Sequence, residues 1–371
     1  MDLSVEFMGL KLKNPVLVAA GPLTANGELM RKAVAAGAGA VVSKTIVNET
    51  RPKVRPRLAI AGDGMQNIEL YTEFNLEEWE REIAYAKEHG AVVIANILAH
   101  TPSEMAYIAR RVERFGADAI ELGVACPHGE GIEGLFADPV QLYEFTKSVV
   151  AKVKIPVMVK LSPNVTNMAK MALAAEKAGA AAVSAIDTVR AIIGVDIESG
   201  KTILPTYGGY SGPAIRPIGL AAVAQIAQAV RIPVCGIGGI SNYHHVLEYM
   251  MLGASTVQLC TSLLLNGVES LDGLLHDLAA WLEGHGVAGF AELRGRALTS
   301  LKSFEEIKVE PYVSQARGDC PAAACEKCLK ACIYGAITRA GNRIAVDPEL
   351  CTGCGLCLSV CPDKKFDWVW K

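Results

Sequence analysis

Cysteines carry the reactive chemistry of this sequence, and they fall in two places. Cys126 stands by itself in AIELGVACPHGEG, residues 119–131, where a strand-like run opens into a glycine-rich loop. A thiol on a glycine-flanked loop at a strand end is placed to react, unlike one buried inert in a core. The other place is the tail: eight of the 11 cysteines lie between positions 320 and 361. Cys351, Cys354, Cys357 and Cys361, followed by Pro362, spell C-x2-C-x2-C-x3-C-P, which is the ligand spacing of a [4Fe-4S] cubane. A zinc knuckle asks instead for two CxxC pairs. Upstream, Cys320, Cys325, Cys328 and Cys332 repeat the pattern with the first gap widened to four residues.

When two such runs share a domain, the fourth cysteine of each ligates the other cluster. The expected sets are therefore Cys320, Cys325, Cys328 and Cys361 for one centre, and Cys332, Cys351, Cys354 and Cys357 for the other. Two short βαβ-like halves would be pinned together by them, in a bacterial-type 2[4Fe-4S] ferredoxin domain too small for a core of its own.

The loop of Cys126 needs a larger scaffold. Residues 16–262 repeat a strand after a helix, and a Gly-Ala pair marks five of the junctions: Gly37-Ala38, Gly90-Ala91, Gly116-Ala117, Gly179-Ala180 and Gly253-Ala254. Glycine just past a helix end takes the left-handed turn cheaply, so each pair reads as a helix giving way to a strand. VKIPVMVK, VRIPVCGI and NPVLVAAG introduce three more strands, for eight in all. They are β-branched and apolar on both faces, the mark of parallel strands buried on both sides. Eight such units predict an α/β fold, a (β/α)8 TIM barrel, over residues 1–305. The rest, residues 306–371, is expected to be a linker and the ferredoxin domain, with residues 300–319 reading as connection.

Barrel active sites lie at the C-terminal strand ends. Those ends carry Lys44, Asn96, Cys126, Lys160, Asp187 with Thr188, Gly238 with Gly239, and Cys260 with Thr261. GIGGIS after strand seven and LCTS after strand eight suggest a phosphate held on backbone N–H groups. With no dinucleotide fingerprint elsewhere, a mononucleotide such as FMN fits better than NAD. Residues 190–217 are too long for a simple turn and predict a lid or binding loop.

The balance of the chain excludes several roles. Its net charge of -3, without a basic tail, argues against a nucleic-acid partner. The first fifteen residues mix charges and lack an apolar signal region, and no charge-free apolar run reaches membrane-spanning length. A cytoplasmic protein with reduced thiols is expected.

Taken together, SKT at Ser43, NIEL at Asn67, ACPHG at Ala125, VKLSPNVT at Val159, TYGGYSGPAIRP at Thr206, GIGG at Gly236 and CTGCGLCLSVCP at Cys351 resemble the flavin-binding part of dihydropyrimidine dehydrogenase and its relatives, the class 1 dihydroorotate dehydrogenases. The resemblance covers nearly the whole chain, because the pyrimidine enzymes carry a two-cluster ferredoxin domain directly after an FMN barrel. It implies that Lys44 and Lys160 lie near the isoalloxazine, that Ala19 and Ala20 back the flavin, and that Gly212, Gly238, Gly239, Cys260 and Thr261 hold the ribityl phosphate. Asn96 joins them as a strand-end cofactor candidate. Asn67 and Thr188 match substrate-contacting positions, as do Gly123 and Asp187. Cys126 matches the catalytic cysteine, which exchanges a proton with one carbon of a ring C=C while flavin N5 exchanges a hydride with its neighbour. A thiol of ordinary pKa, about 8.5, is mostly protonated at neutral pH and suits that donation. His128 is expected only to order the same loop. A homodimer and an electron-donor partner, either an NAD(P)H-oxidising flavoprotein subunit or a ferredoxin, are also implied.

The departures point to the substrate. Where the pyrimidine enzymes have Asn-Leu-Ser-Cys, this chain has Gly123-Val124-Ala125-Cys126, and Asp187 replaces an asparagine. An amide donates and accepts, whereas a carboxylate only accepts and carries charge. A ring-binding site that loses such partners discriminates strongly, so a small cyclic or conjugated substrate other than uracil or orotate is expected. The alternatives are a dihydropyrimidine dehydrogenase subunit, a dihydroorotate dehydrogenase, an electron-transfer subunit with Cys126 idle, and a flavin-free lyase using Lys160 as a Schiff base.

Overall fold

Short apolar strands alternate with amphipathic helices and close on themselves. The computed structural model describes residues 1–50, 52–124, 137–320 and 325–371. Eight parallel strands form the barrel: β1 (Val16–Val18), β2 (Ala40–Val42), β3 (Val93–Ile97), β4 (Ala119–Leu122), β5 (Val157–Leu161), β6 (Ala182–Ala185), β7 (Val234–Ile237) and β8 (Ala254–Leu259). Each pairs with the next in sequence and β8 pairs with β1, so the barrel has no open edge. These are the eight strands that the sequence predicts.

The intervening helices are α1 (Gly27–Ala35), α2 (Glu78–Glu88), α3 (Pro102–Arg114), α4 (Pro139–Val150), α5 (Met168–Lys177), α6 (Arg216–Ala229) and α7 (Tyr243–Met251), with α8 (Thr261–Asn266) and α9 (Ser270–Gly284) after β8. Asn26, Thr101, Asp138, Asn167 and Asn242 cap α1, α3, α4, α5 and α7 by accepting a first-turn N–H. At the other ends Gly37, Gly90, Gly116, Gly179 and Gly253 all have positive φ. The repeated Gly-Ala junction is the device that turns helix into strand.

The two-residue strand period sorts the side chains. Val16, Val18, Val41, Val93, Ile120 and Val159 face the helices, whereas Leu17, Ala40, Ile94, Ala119, Met158, Ala182 and Cys235 fill the barrel interior. An N-terminal hairpin, Val5–Phe7 paired with Leu10–Leu12, adds Phe7 and Leu12 to that interior cluster. Two residues further along β3, β4, β5 and β6 the same inward face turns polar, with Asn96, Glu121, Lys160 and Ser184, all buried.

The long segment 190–217 is not a plain loop. Strands Val189–Ala191 and Gly208–Ser211 join Gly64–Asn67 and Leu58–Ala61 in an antiparallel sheet. Gln66 fastens it: Nε2 donates to the carbonyls of Ala191 and Thr206, and Oε1 accepts from the N–H of Ile193.

Met1–Ser300 and Leu301–Lys371 are separate compact units. The second is strand, helix, strand, twice: Tyr312–Ala316, Lys327–Ala331 and Ile337–Ala340, then Arg343–Val346, Leu356–Val360 and Phe366–Trp370. The outermost strands pair with each other, as do the inner two. The expectation that residues 300–319 only connect is corrected here, because Tyr312–Ala316 is a paired strand whose Val313 and Ser314 are buried. Cys328, Ile337, Cys357 and Phe366 form its small core.

Tyr249 on α7 is fully buried, and its hydroxyl lies 2.7 Å from the carbonyl oxygen of Gly238 and 3.1 Å from that of Ile237. Tyr249→Phe takes the hydroxyl donor from the Gly238 carbonyl, while Ile237 keeps the N–H of Ile186 at 2.9 Å, and should destabilise the protein by about 1–3 kcal/mol, measured by chemical denaturation. An unchanged midpoint would show that the contact holds nothing.

Candidate functional site

Glu121 organises the barrel's upper interior. Its buried carboxylate accepts from Asn96 Nδ2 at 2.8 Å, Ser184 Oγ at 2.8 Å and Gln258 Nε2 at 2.9 Å. Because a carboxylate only accepts, Asn96 must turn its amide nitrogen to β4 and its oxygen away. A Cβ built on Gly123 would lie 2.5 Å from that oxygen. Position 123 is closed to any side chain while Asn96 keeps this pose.

A cavity opens at the strand ends above this layer. Its walls include Ala19, Lys44, Asn67, Asn96, Gly123, Lys160, Asp187, Thr188, Gly212, Gly238, Gly239, Cys260 and Thr261. Ala20 is not part of the wall and packs against the interior cluster. Cys126 and His128 lie outside the described residues; Gly123, three positions before Cys126, is on the wall.

Two buried lysines are held by acidic partners. Lys44 Nζ is 2.8 Å from Glu69, which Arg57 also contacts. Burial opposes ionisation of Glu69, but Lys44 and Arg57 outweigh it and hold the carboxyl below its ordinary value. Lys160 Nζ is 3.6 Å from Asp187. Burial opposes its charge too, yet Asp187 and then Glu121 hold the ammonium above its ordinary value. Cys260 has the opposite fate: burial pushes its thiol up to about 11, against the pull of Lys160 and Lys44.

The remaining wall is backbone. Gly238 and Gly239 have φ of 120° and 68°, and a Cβ on Gly239 would meet Arg216 and the carbonyl of Gly212 within 2.9 Å. Thr261 Oγ1 donates to Ser211 Oγ at 2.8 Å. Asn67 Nδ2 donates to the Gly209 carbonyl, and the N–H of Thr188 donates to Asp187. Bare backbone at a glycine turn beside a fixed cation is a set of groups that suits a phosphate-bearing, anionic cofactor.

In the second unit, Cys332, Cys351, Cys354 and Cys357 line one small cavity. Cys320 and Cys361 are neighbours of Cys328. The fourth cysteine of each run therefore lies with the other run, as the interleaved sets require. Hydrogen-bond donors also face sulfur: the Ser314 N–H to Cys351, the Lys365 N–H to Cys361 and Arg339 Nη2 to Cys320. Donors aimed at sulfur suit thiolates, so the residues fit iron–sulfur ligation.

Sequence reading missed Glu121, Glu69, Ser184 and Gln258. The strand period could have found Glu121, since it shares a face with Ala119 inside an otherwise apolar strand. Glu69 lies off the barrel strands, and nothing in its local pattern announces Lys44.

Residues 2–282 match the dihydroorotate dehydrogenase family, and residues 344–364, which hold Cys351, Cys354, Cys357 and Cys361, match the 4Fe-4S binding domain. Among similar proteins, the dihydroorotate dehydrogenase B (NAD(+)) catalytic subunit of Thermoplasma volcanium is 40% identical over 266 residues, 71% of this chain and 87% of that one. Its counterpart from Pyrococcus abyssi is 38% identical over 306 residues, 80% and 99% of the two chains. The chloroplastic dihydropyrimidine dehydrogenase (NADP(+)) of Arabidopsis thaliana is 31% identical over 357 residues, 85% and 83% of the two. With the barrel closed, its strand-end cavity described and this match spanning the barrel, the chain belongs to the dihydroorotate dehydrogenase family.

Proposed function

We propose that this chain is the catalytic component of an oxidoreductase that forms or reduces a C=C bond in a small cyclic or conjugated substrate, with FMN in the barrel and two [4Fe-4S] clusters in the second unit. The observation that carries this reading is the strand-end cavity, which gathers Lys44, Lys160, Gly212, Gly238 and Gly239 around one space beside the residue that leads into the Cys126 loop. When bound, FMN supplies hydride chemistry at N5, and the clusters supply one-electron carriers.

The residues have distinct tasks. The turn at Gly238 and Gly239 offers backbone N–H groups to the phosphate. Lys160 keeps a positive charge in the wall, where it offsets negative charge developing on the cofactor ring. Cys126 Sγ holds the proton that goes to, or comes from, the carbon beside the hydride site. Asp187 orients Lys160 and presents an acceptor to the ring edge, whereas Gly123 presents nothing. Such a site favours a substrate with N–H donors on that edge over one needing amide donors, so orotate and uracil are poor fits. A Schiff base at Lys160 would need a neutral amine, which Asp187 and Glu121 disfavour. Electrons are exchanged with a partner, an NAD(P)H-oxidising flavoprotein subunit or a ferredoxin.

The names of the relatives favour one second reading, dihydroorotate oxidation. Its product carries a carboxylate, whose repulsion by Asp187 the Lys160 pair offsets.

Turnover of dihydroorotate, dihydrouracil, orotate and uracil, followed with an artificial acceptor or donor, decides between the readings. None should saturate, and saturable turnover of dihydroorotate would establish the second reading in place of the first. Cys126→Ala should lower turnover of the true substrate by about 10²–10⁴-fold with flavin content unchanged; an unaffected rate would leave Cys126 no catalytic role. The lysine charge also has a pH signature. A raised pKa keeps Lys160 charged as pH climbs past its ordinary 10.5, so flavin affinity should persist into that range. In Asp187→Asn the alkaline loss of affinity should begin at lower pH, read by fluorescence of released flavin. Identical profiles would refute the coupling.

A further inference from the structure

The two cysteine sets differ in what points at their sulfurs. Arg339, on the strand Ile337–Ala340, donates from Nη2 to Cys320 Sγ at 3.0 Å in a partly buried contact. The same set receives the backbone N–H of Lys365 on Cys361 Sγ at 3.3 Å. The other set meets only neutral donors among the described residues. The N–H of Ser314 points at Cys351 Sγ at 3.4 Å, and Ser314 Oγ lies 3.2 Å from Cys357 Sγ. The thiols stand for the thiolates of a loaded cluster, toward which the Ser314 hydroxyl would turn its proton.

We propose that Arg339 raises the reduction potential of the cluster held by Cys320, Cys325, Cys328 and Cys361 above that of its neighbour, so that a single electron shared by the pair rests there. The inference depends on the two-cluster reading given above. One-electron reduction adds one negative charge to a cluster and its thiolates. Hydrogen bonds to the sulfurs stabilise that charge and raise the potential. A guanidinium is permanently charged, and a charge-assisted hydrogen bond is about twice as strong as a neutral one. Partial burial limits screening of that charge by salt. Glu326, which pairs with Lys330 at 2.9 Å, also feels the Arg339 charge, but it is exposed, so solvent screens that attraction more than the partly buried contact with Cys320. Arg339 is a positioning and tuning residue, since it acts on the electron through the ligand sulfur.

The test is a mediated dithionite titration of the full-length protein followed by electron paramagnetic resonance, with iron and sulfide measured on every sample. The wild type should titrate in two separate steps. Arg339→Gln should lower the upper step by roughly tenfold in equilibrium constant, about 59 mV for one electron, and leave the lower step in place. Arg339→Lys, which keeps a charge without the planar fork, should recover most of the shift. Ser314→Ala should lower the other step instead. A single coincident step in the wild type overturns the inference without any variant, as does an unmoved upper step or an equal shift of both steps in Arg339→Gln. About eight iron per chain with unshifted potentials removes this inference alone, whereas about four removes the two-cluster reading and this inference with it.

Discussion

A carboxylate buried inside a barrel has to be satisfied, and Glu121 imposes that demand on half of the strands. Left without partners in a dry interior, it would cost several kcal/mol. Asn96 on β3, Ser184 on β6 and Gln258 on β8 meet it with three donated hydrogen bonds, and Lys160 on β5 adds the charge of an ammonium. The pose of Asn96 follows from the chemistry of its partner, and the empty position at Gly123 follows from the pose of Asn96. Two residues of the cavity wall are thus set from beneath the cavity rather than from within it.

The same logic governs charge at the mouth. Two lysines face a space suited to an anionic cofactor, and each has a carboxylate of its own, Glu69 or Asp187. The pairs aim both ammonium groups, and Asp187 holds that of Lys160 above its ordinary value, while the net charge of the wall stays small. A neutral thiol at Cys260 completes the wall without adding to that charge. Where the resemblance sets an asparagine in the pyrimidine enzymes, Asp187 gives Lys160 an acidic partner at 3.6 Å.

Much of this was legible before any coordinates. All eight barrel strands, the Gly-Ala junctions and the interleaving of Cys332 and Cys361 follow from period, turn chemistry and ligand spacing, which are local signals. Most of the strand-end residues named from the sequence line one cavity because a barrel delivers every strand end to the same face. What stayed hidden is what depends on neighbours distant in sequence. Glu69 meets Lys44 across 25 residues, Glu121 meets Gln258 across 137, and Gln66 meets Thr206 across 140. The strand Tyr312–Ala316 was hidden for the same reason, since its partner is Phe366–Trp370.

The antiparallel sheet has a mechanical meaning. Its strands come from two insertions, one after β2 and one after β6, and Gln66 from the first grips both arms of the second at Ala191, Ile193 and Thr206. Asn67, Leu58 and Ser211 from these strands also border the cavity. Neither insertion is free to swing alone, because each carries the hydrogen-bond ladder of the other. Any displacement of this side of the cavity wall would have to carry both insertions as one plate, so its cost is that of moving the whole sheet.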